Sequence, residues 1–285
     1  MPSPLRIASV NANGVRAAYR RGMGDWLAGS GVDVLALQEV RAGRDDLVSL
    51  IGEGWHVFDE ESAQKGRAGV AIVARQEPVA TRFGLPGAGI DGVDSTGRWL
   101  EADFAVGGRT VTVVSCYVHS GEVDTPRQQA KYVFLTAMGA RMAQLAAERE
   151  LALVVGDLNV GHRELDIKNW RGNVKRAGFL PQERSYFDRF FGPAGEVVTG
   201  VDGVQGPGLG WIDVGRHFAG EVDGPYTWWS ARGQAFDNDT GWRIDYHVAT
   251  PALAELVVDY RVDRAASYAA RWSDHAPVIA DYAIG

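Results

Sequence analysis

Short apolar runs rich in Val, Ile and Leu recur along the chain, at Leu5 to Val10, Val32 to Leu37, Val70 to Ala74, Thr110 to Val118, Leu151 to Val155 and Ile244 to Val248. Their length and β-branched content predict strands. Between them lie helical patterns, the clearest over Thr125 to Arg149, where Phe134, Leu135, Met138, Met142 and Leu145 recur at three- and four-residue steps. Thr125-Pro126 supplies a cap followed by proline at the first helical position. Arg98 to Val106, Gly107-Gly108 and Arg109 to Val118 read as a β-hairpin on a two-residue turn, which brings antiparallel pairing into the sheet. Strands separated by helices and hairpins predict a mixed-sheet sandwich with helices outside. The glycine-rich piece Gly192 to Gly210, with Pro193 and Pro207, reads as an exposed loop. With no repeat, low-complexity stretch or linker in sight, residues 1–285 are expected to form a single domain.

Composition narrows the class. At 285 residues and 46% hydrophobic side chains the chain can bury one large core. The opening segment MPSPLRIASVNANG lacks the basic and apolar regions of an export signal, and no apolar run spans a bilayer, so a cytoplasmic protein without membrane contact is expected. Cys116 is the single cysteine, which excludes an internal disulfide and a cysteine-based zinc site. The formal charge of −7 runs against nucleic-acid binding, where Lys and Arg neutralise phosphate. The sum hides a basic stretch, however: Arg163, Lys168, Arg171, Lys175, Arg176, Arg184 and Arg189 face only Glu164, Asp166, Glu183 and Asp188 between Arg163 and Arg189. Acids gathered around a cation would likewise turn negative surface into a phosphate site.

Carboxylate, amide and imidazole side chains stand at the C-terminal ends of the predicted strands, where open α/β sheets place their sites. Asn11 ends the Leu5 run, Glu39 follows in LALQEV, Tyr117 in VVSCYV, Asp157 and Asn159 in LVVGDLN, Asp245 in GWRIDY, and Asp274 with His275 in SDHAP. Each alone has an ordinary explanation, since Asn, Asp and Ser cap helices and make turns. The glycines at 206, 208 and 210 follow no strand, which argues against a dinucleotide loop. In chain order, NxNG, LQE, a tyrosine after an apolar strand, GDLN, GWRIDY and SDHAP resemble the signature segments of the exonuclease III and apurinic/apyrimidinic (AP) endonuclease family, bacterial type. RGNVKRAGFLPQER, Arg171 to Arg184, extends the likeness over nearly the whole chain.

That resemblance implies a four-layered α/β sandwich of two mixed, mostly antiparallel sheets packed face to face with helices outside. It implies a Mg²⁺-dependent phosphodiesterase, Mn²⁺ substituting, that cuts double-stranded DNA 5′ to abasic sites and trims blocked 3′ ends as a 3′–5′ exonuclease and 3′-phosphatase. Glu39 is the foremost metal ligand, because Mg²⁺ takes oxygen donors and often only one or two carboxylates. Asn11 would orient Glu39 or complete the metal shell, and Asp274 would add a second carboxylate. By resemblance Asp157 positions or deprotonates the attacking water, Asn159 and Tyr117 bind the phosphate, and Asp245 orients and charges His275. His56, His119, His162, His217 and His247 are read as ordinary surface or core residues.

Specificity is assigned elsewhere. Trp228, Trp242 and Ile244 align with the family's pocket for an extruded sugar lacking its base, although with nine tryptophans in the chain packing is each one's commoner role. Asn173 resembles the family's phosphate-contacting asparagine, and Arg127, Lys131, Lys168 and Arg176 are expected on backbone phosphates. Asn13 stands where the vertebrate branch carries aspartate, and Arg41 stands in for a lysine after LQE. A monomer is expected. Two other readings use the same motifs: a same-fold enzyme acting on RNA or an inositol phosphate, and a binding-only regulator that has lost catalysis. The DNA-repair character of GWRIDY and Arg171 to Arg184 opposes the first, and the full set of chemical residues opposes the second.

Overall fold

The computed structural model describes residues 3–285; Met1 and Pro2, the start of the opening segment weighed above, lie outside them. Fourteen strands run in chain order as β1 (Leu5–Asn11), β2 (Val34–Gln38), β3 (His56–Glu60), β4 (Val70–Ala74), β5 (Ala80–Phe83), β6 (Trp99–Val106), β7 (Arg109–Tyr117), β8 (Leu151–Asp157), β9 (Val197–Thr199), β10 (Gln205–Pro207), β11 (Ile212–Asp213), β12 (Asp245–Ala249), β13 (Val257–Val262) and β14 (Val278–Tyr282). Seven helices accompany them: α1 (Val15–Arg20), α2 (Met23–Ser30), α3 (Arg44–Ile51), α4 (Pro126–Glu148), α5 (Pro181–Phe191), α6 (Val214–Ala219) and α7 (Pro251–Ala254). One six-stranded sheet has the order β13-β14-β1-β2-β4-β3 and the other β11-β12-β8-β7-β6-β5. Only β1–β2 and β7–β8 pair in parallel within them, as the two αβ connections require.

The layers follow from which face each side chain takes. Along β1, Ile7 enters the core between the sheets with Val70, Ile72, Val113 and Leu153, whereas Ala8 and Val10 point the other way, against Val15, Met23 and Leu47 of the outer helices. On the far side Phe134, Met138 and Met142 of α4 and Phe187 of α5 cover Val114, Ala152 and Tyr246. Strands buried on both faces read as continuous apolar runs, which is why these segments stood out in the sequence. The result is the four-layered sandwich expected from the resemblance. Gly107 and Gly108 both take positive φ, 55° and 75°, as a two-residue hairpin turn demands.

Some expectations need correcting. Thr125 occupies the position before α4, yet its hydroxyl turns back to the Glu122 carbonyl (2.7 Å) and does not cap the helix, which starts on Pro126. The Gly192 to Gly210 segment is exposed but not structureless: β9 and β10 form a small antiparallel ribbon there. The edge strands β5 and β13 escaped the pattern because they are short, polar and only partly buried. Among the described residues, no helix is long and apolar enough to cross a membrane.

Two buried polar features tie the layers together. Arg243, fully buried, reaches Asp166 Oδ1 with Nε (2.8 Å) and grips Asp213 with Nη1 and Nη2 (3.0 and 2.7 Å), while Arg216 Nη2 also meets Asp166 Oδ1 (2.5 Å). His247 lies between the sheets, its Nε2 donating to the Val278 carbonyl (3.3 Å) and its Nδ1 accepting from the Tyr282 hydroxyl (3.0 Å). Burial holds His247 neutral and lowers its pKa to about 3. The unfolded chain therefore binds a proton near the ordinary histidine pKa of about 6.5 that the folded chain refuses. Its contribution is complete above that pH and drains away as pH falls toward 3. Urea titrations at pH 7.5 and 5.5 are expected to show wild type losing about 1 kcal/mol more than His247→Asn over that interval; equal losses would count against it.

Candidate active site

The site residues gather where matching ends of the two sheets meet. In the register of the second sheet Tyr117 stands beside Asp157, and Asp157 beside Asp245. Asp245 thus opens its strand, and Asp274 and His275 precede the start of β14, correcting the expectation that all three would lie at C-terminal ends; because β12 runs antiparallel to β8, its start lies level with Asp157. From the first sheet come Asn11, the last residue of β1, Glu39, just beyond β2, and Asp274 with His275, just before β14.

Asp157 lies at the centre, 1% exposed. Its Oδ2 accepts from Asn11 Nδ2 (2.8 Å) and Asn159 Nδ2 (3.0 Å), and its Oδ1 from the Asn159 backbone N–H (3.0 Å). Asn11 Nδ2 also donates to Glu39 Oε1 (2.9 Å), so one amide links two carboxylates. The Tyr117 hydroxyl donates to the same Glu39 oxygen (2.8 Å). Burial, with the Glu39 and Asp157 carboxylates behind it, keeps that phenol protonated far above its usual pKa. On the other flank His275 Nδ1 faces Asp245 Oδ2 at 2.9 Å, while its Nε2 lies 3.9 Å from Asp157 Oδ2.

Charge follows from this packing. Burial raises the Asp157 pKa to about 7, with His275 opposing and Asp245 and Glu39 adding to the rise. Burial alone would lower the pKa of His275, but Asp245 and Asp157 together carry it to about 10, which makes an imidazolium the resting form. Asp157, Asp245 and His275 each place a ligand atom within 4.8 Å of the others, a spacing that could hold a metal ion. That arrangement conflicts with the charge: a cation would have to displace Asp245 from His275 and sit beside an imidazolium. Glu39 lines a cleft of about 670 Å³, with an Arg41 guanidinium at its Oε2 and the Asn11 and Tyr117 donors on its Oε1, so a cation held there by this oxygen ligand would likewise have to displace a partner, Arg41.

The structure revises several assignments. Asn11 spends its amide N–H groups on two carboxylates and its Oδ1 on the Asn13 backbone N–H (2.9 Å), the arrangement of an orienting residue. Asp274 has both oxygens engaged, Oδ1 by Asn13 Nδ2 (2.8 Å) and Oδ2 by Trp228 Nε1 (3.1 Å). Lys131 is fully buried and out of reach of any phosphate; Lys168 is paired with Asp223 (3.1 Å). Arg127 and Arg176 are exposed, Arg127 on the cleft rim near Glu122. Asn173 follows a single 3₁₀ turn and ties its Nδ2 to the Asn169 carbonyl (2.9 Å). Trp228 and Trp242 meet edge to face, 6.1 Å between ring centroids, with Trp228 also beside His275. Ile244 is 5% exposed, which leaves it little surface for a pocket wall.

Three supporting residues escaped the sequence. The Ser273 hydroxyl donates to the Asn11 carbonyl (2.7 Å) and accepts from the His275 N–H (3.2 Å), stapling the two chain ends of the site. Thr227 Oγ1 accepts the N–H groups of both Ile244 and Asp245, each at 3.1 Å. Arg98 lies over the Tyr117 ring, 4.7 Å from its centroid. Only Ser273 carried a local signal, its place beside Asp274-His275.

This geometry has a counterpart among known proteins, since residues 8–275 match the Endonuclease/Exonuclease/phosphatase family. The chain belongs to that family. An exodeoxyribonuclease of Bacillus subtilis (strain 168) is 31% identical over 96% of this chain and 98% of its own. Among solved structures of the family, an AP endonuclease from Archaeoglobus fulgidus superposes with a TM-score of 0.80 at 26% identity, covering 98% of this chain and all of that one. A 3′ phosphatase from Neisseria, bound to a product DNA hairpin, gives 0.77 at 28% identity over 98% and 99% of the two chains.

Proposed function

We propose that this family member is a Mg²⁺-dependent DNA-repair phosphodiesterase that hydrolyses double-stranded DNA on the 5′ side of abasic sites. It also trims blocked 3′ ends as a 3′–5′ exodeoxyribonuclease and 3′-phosphatase, working as a single-domain monomer in the cytoplasm. The observation that carries the reading is the buried Asp157 carboxylate, held between two amides and an Asp245-charged imidazolium, with Glu39 joined to it through the Asn11 amide and Tyr117 bonded to Glu39. Nucleases, AP endonucleases and a 3′ phosphatase among the relatives support it.

In this reading a water attacks phosphorus in line with the bond to the leaving 3′ oxygen. Asp157, whose pKa sits near neutrality, takes the proton as the new P–O bond forms and the old one breaks. Asn11 and Asn159 hold that carboxylate in place. His275, charged by Asp245, donates to a non-bridging oxygen, and Tyr117 offers its hydroxyl to the same phosphate. A hard divalent cation bound beside Glu39 supplies neutralisation of the charge that gathers on the phosphate and leaving oxygens; Mn²⁺ suits the same oxygen donors. Asp274, through Asn13 and Trp228, keeps the metal side and the pocket side in register. Trp228 and Trp242 receive the extruded sugar beside Ile244, and Arg127, Arg176 and Asn173 hold the strand by its phosphates.

A labelled duplex with one abasic-site analogue, beside an undamaged duplex and a 3′-phosphate end, tests the whole. Cleavage at the lesion is expected with Mg²⁺ and not with EDTA, and Glu39→Ala should lower kcat at least about 100-fold. Folded protein that cuts none of the three would sink the reading. Trp228→Ala should raise KM for the abasic duplex about tenfold, roughly 1.4 kcal/mol of pocket contact, and leave the 3′-phosphate end less affected. Equal changes on both substrates would place Trp228 outside the pocket.

A further inference from the structure

Three stretches of chain that border the site end on one buried ammonium. Lys131, in the second turn of α4, has its Nζ 2.8 Å from the Asn159 carbonyl, 3.3 Å from the Ser120 carbonyl and 2.7 Å from Glu183 Oε1. Three N–H groups meet three acceptors, so its donor capacity is filled. Glu183, equally buried, gives its other oxygen to the N–H groups of Gly178 (2.7 Å) and Leu180 (2.9 Å), while Gln128 Nε2 supports Oε1 (2.9 Å). Gly178 in turn lies against both neighbours of the site: a Cβ there would fall 2.9 Å from the Trp242 ring and 3.3 Å from the Asn159 carbonyl. Over the lysine the Ser120 loop closes so tightly that a Cβ on Gly121 would sit 3.1 Å from Lys131 Cδ and 2.5 Å from Gln128 Oε1.

Resting on the nuclease reading above, we propose that Lys131 is a positioning residue for catalysis, clamping the Asn159 backbone so that the Asn159 side chain meets Asp157. Asn159 needs the clamp. Its φ of 51° is left-handed, a region that asparagine enters more readily than other non-glycine residues but that its surroundings must still hold. The conformation sends its carbonyl inward, where only a buried donor can satisfy it, and its Nδ2 to Asp157 Oδ2. Stability alone does not call for a lysine here, because buried ion pairs can commonly be replaced by apolar groups of similar volume at no loss. What the ammonium adds is a fixed mutual register for the turn after β8, the loop after β7 and the strand-holding loop that ends at Gly178.

The test is a double-mutant cycle on the abasic duplex at saturating Mg²⁺, comparing wild type, Lys131→Met, Asn159→Ala and the double variant. Lys131→Met should lower kcat about 30-fold with KM within about threefold, as expected for a small misplacement of a catalytic group. In the Asn159→Ala background the same change should cost less than about threefold. Equal losses in the two backgrounds, a loss confined to KM, or unchanged kcat would overturn the proposal. If Lys131→Met fails to fold, Glu183→Gln takes its place in the cycle: it keeps an acceptor for Gly178 and Leu180 but removes the counter-charge. Absence of coupling to Asn159 then overturns the proposal equally. A wild type that cuts no substrate would fail the nuclease reading itself, a result distinct from an active wild type without coupling.

Discussion

Asp157→Asn is expected to lower kcat on an abasic duplex by about 10³-fold or more, the scale on which a proton-taking group at the reacting centre is lost. Two losses combine. The amide cannot accept the water's proton at a useful pKa. It also cannot satisfy its own surroundings, because both carboxylate oxygens accept N–H groups, Oδ2 from Asn11 and Asn159 Nδ2 and Oδ1 from the Asn159 backbone. Whichever way the new amide turns, its NH₂ faces a donor, and a buried polar group so mismatched costs about 1–3 kcal/mol. Single-turnover cleavage with excess folded enzyme separates the chemical step from binding and from partial unfolding. A variant within tenfold of wild type would remove Asp157 from the role of base and pass it to another group.

The second large effect concerns stability. Arg243→Met leaves Asp166 and Asp213 buried without the guanidinium that spans them, and removing one partner of a buried ionic network typically costs about 3–5 kcal/mol. The urea midpoint should fall accordingly with an unchanged slope; a shift under about 1 kcal/mol would mean that Arg216 alone suffices for Asp166. The pH dependence has a definite sign. Asp166 is opposed by burial, yet Arg243 and Arg216 hold its carboxyl at about 2, below its value in the unfolded chain. The stability this supplies is therefore complete above the usual carboxylate pKa of about 4 and is lost as pH falls toward 2.

Arg243 also shows what a sequence conveys and what it withholds. GWRIDY was legible because it matches a signature segment of the family, although its acid opens a strand and does not end one, and nothing local marked its arginine as the keystone of an ionic cluster. Most interior strands were legible because burial on both faces leaves mainly apolar residues, and Asn11, Glu39, Tyr117 and Asp157 stood out as polar groups at the ends of such runs; β14, equally buried but short and carrying Asp281, was not read as a strand, and His275 precedes it. Pairings between distant segments have no such signature. Lys131 read as a phosphate ligand because charge is visible in a sequence and burial is not. Asp274 read as a free carboxylate because the bonds from Asn13 and Trp228 that occupy it come from 261 and 46 residues away.

The order of strands has a consequence for synthesis. The first sheet is built from both chain ends, with β14 inserted between β13 and β1, whereas the second comes from the middle of the chain. Leu5 pairs with Tyr282, and the histidine that faces Asp245 and Asp157 arrives only just before that final strand. During translation β1 must wait, one long edge unpaired, until the segment up to Tyr282 has emerged. A nascent chain that has not yet supplied β14 carries Glu39, Asp157 and Asp245 but neither the closed sheet nor the imidazolium, so the site comes into being only after that strand has emerged.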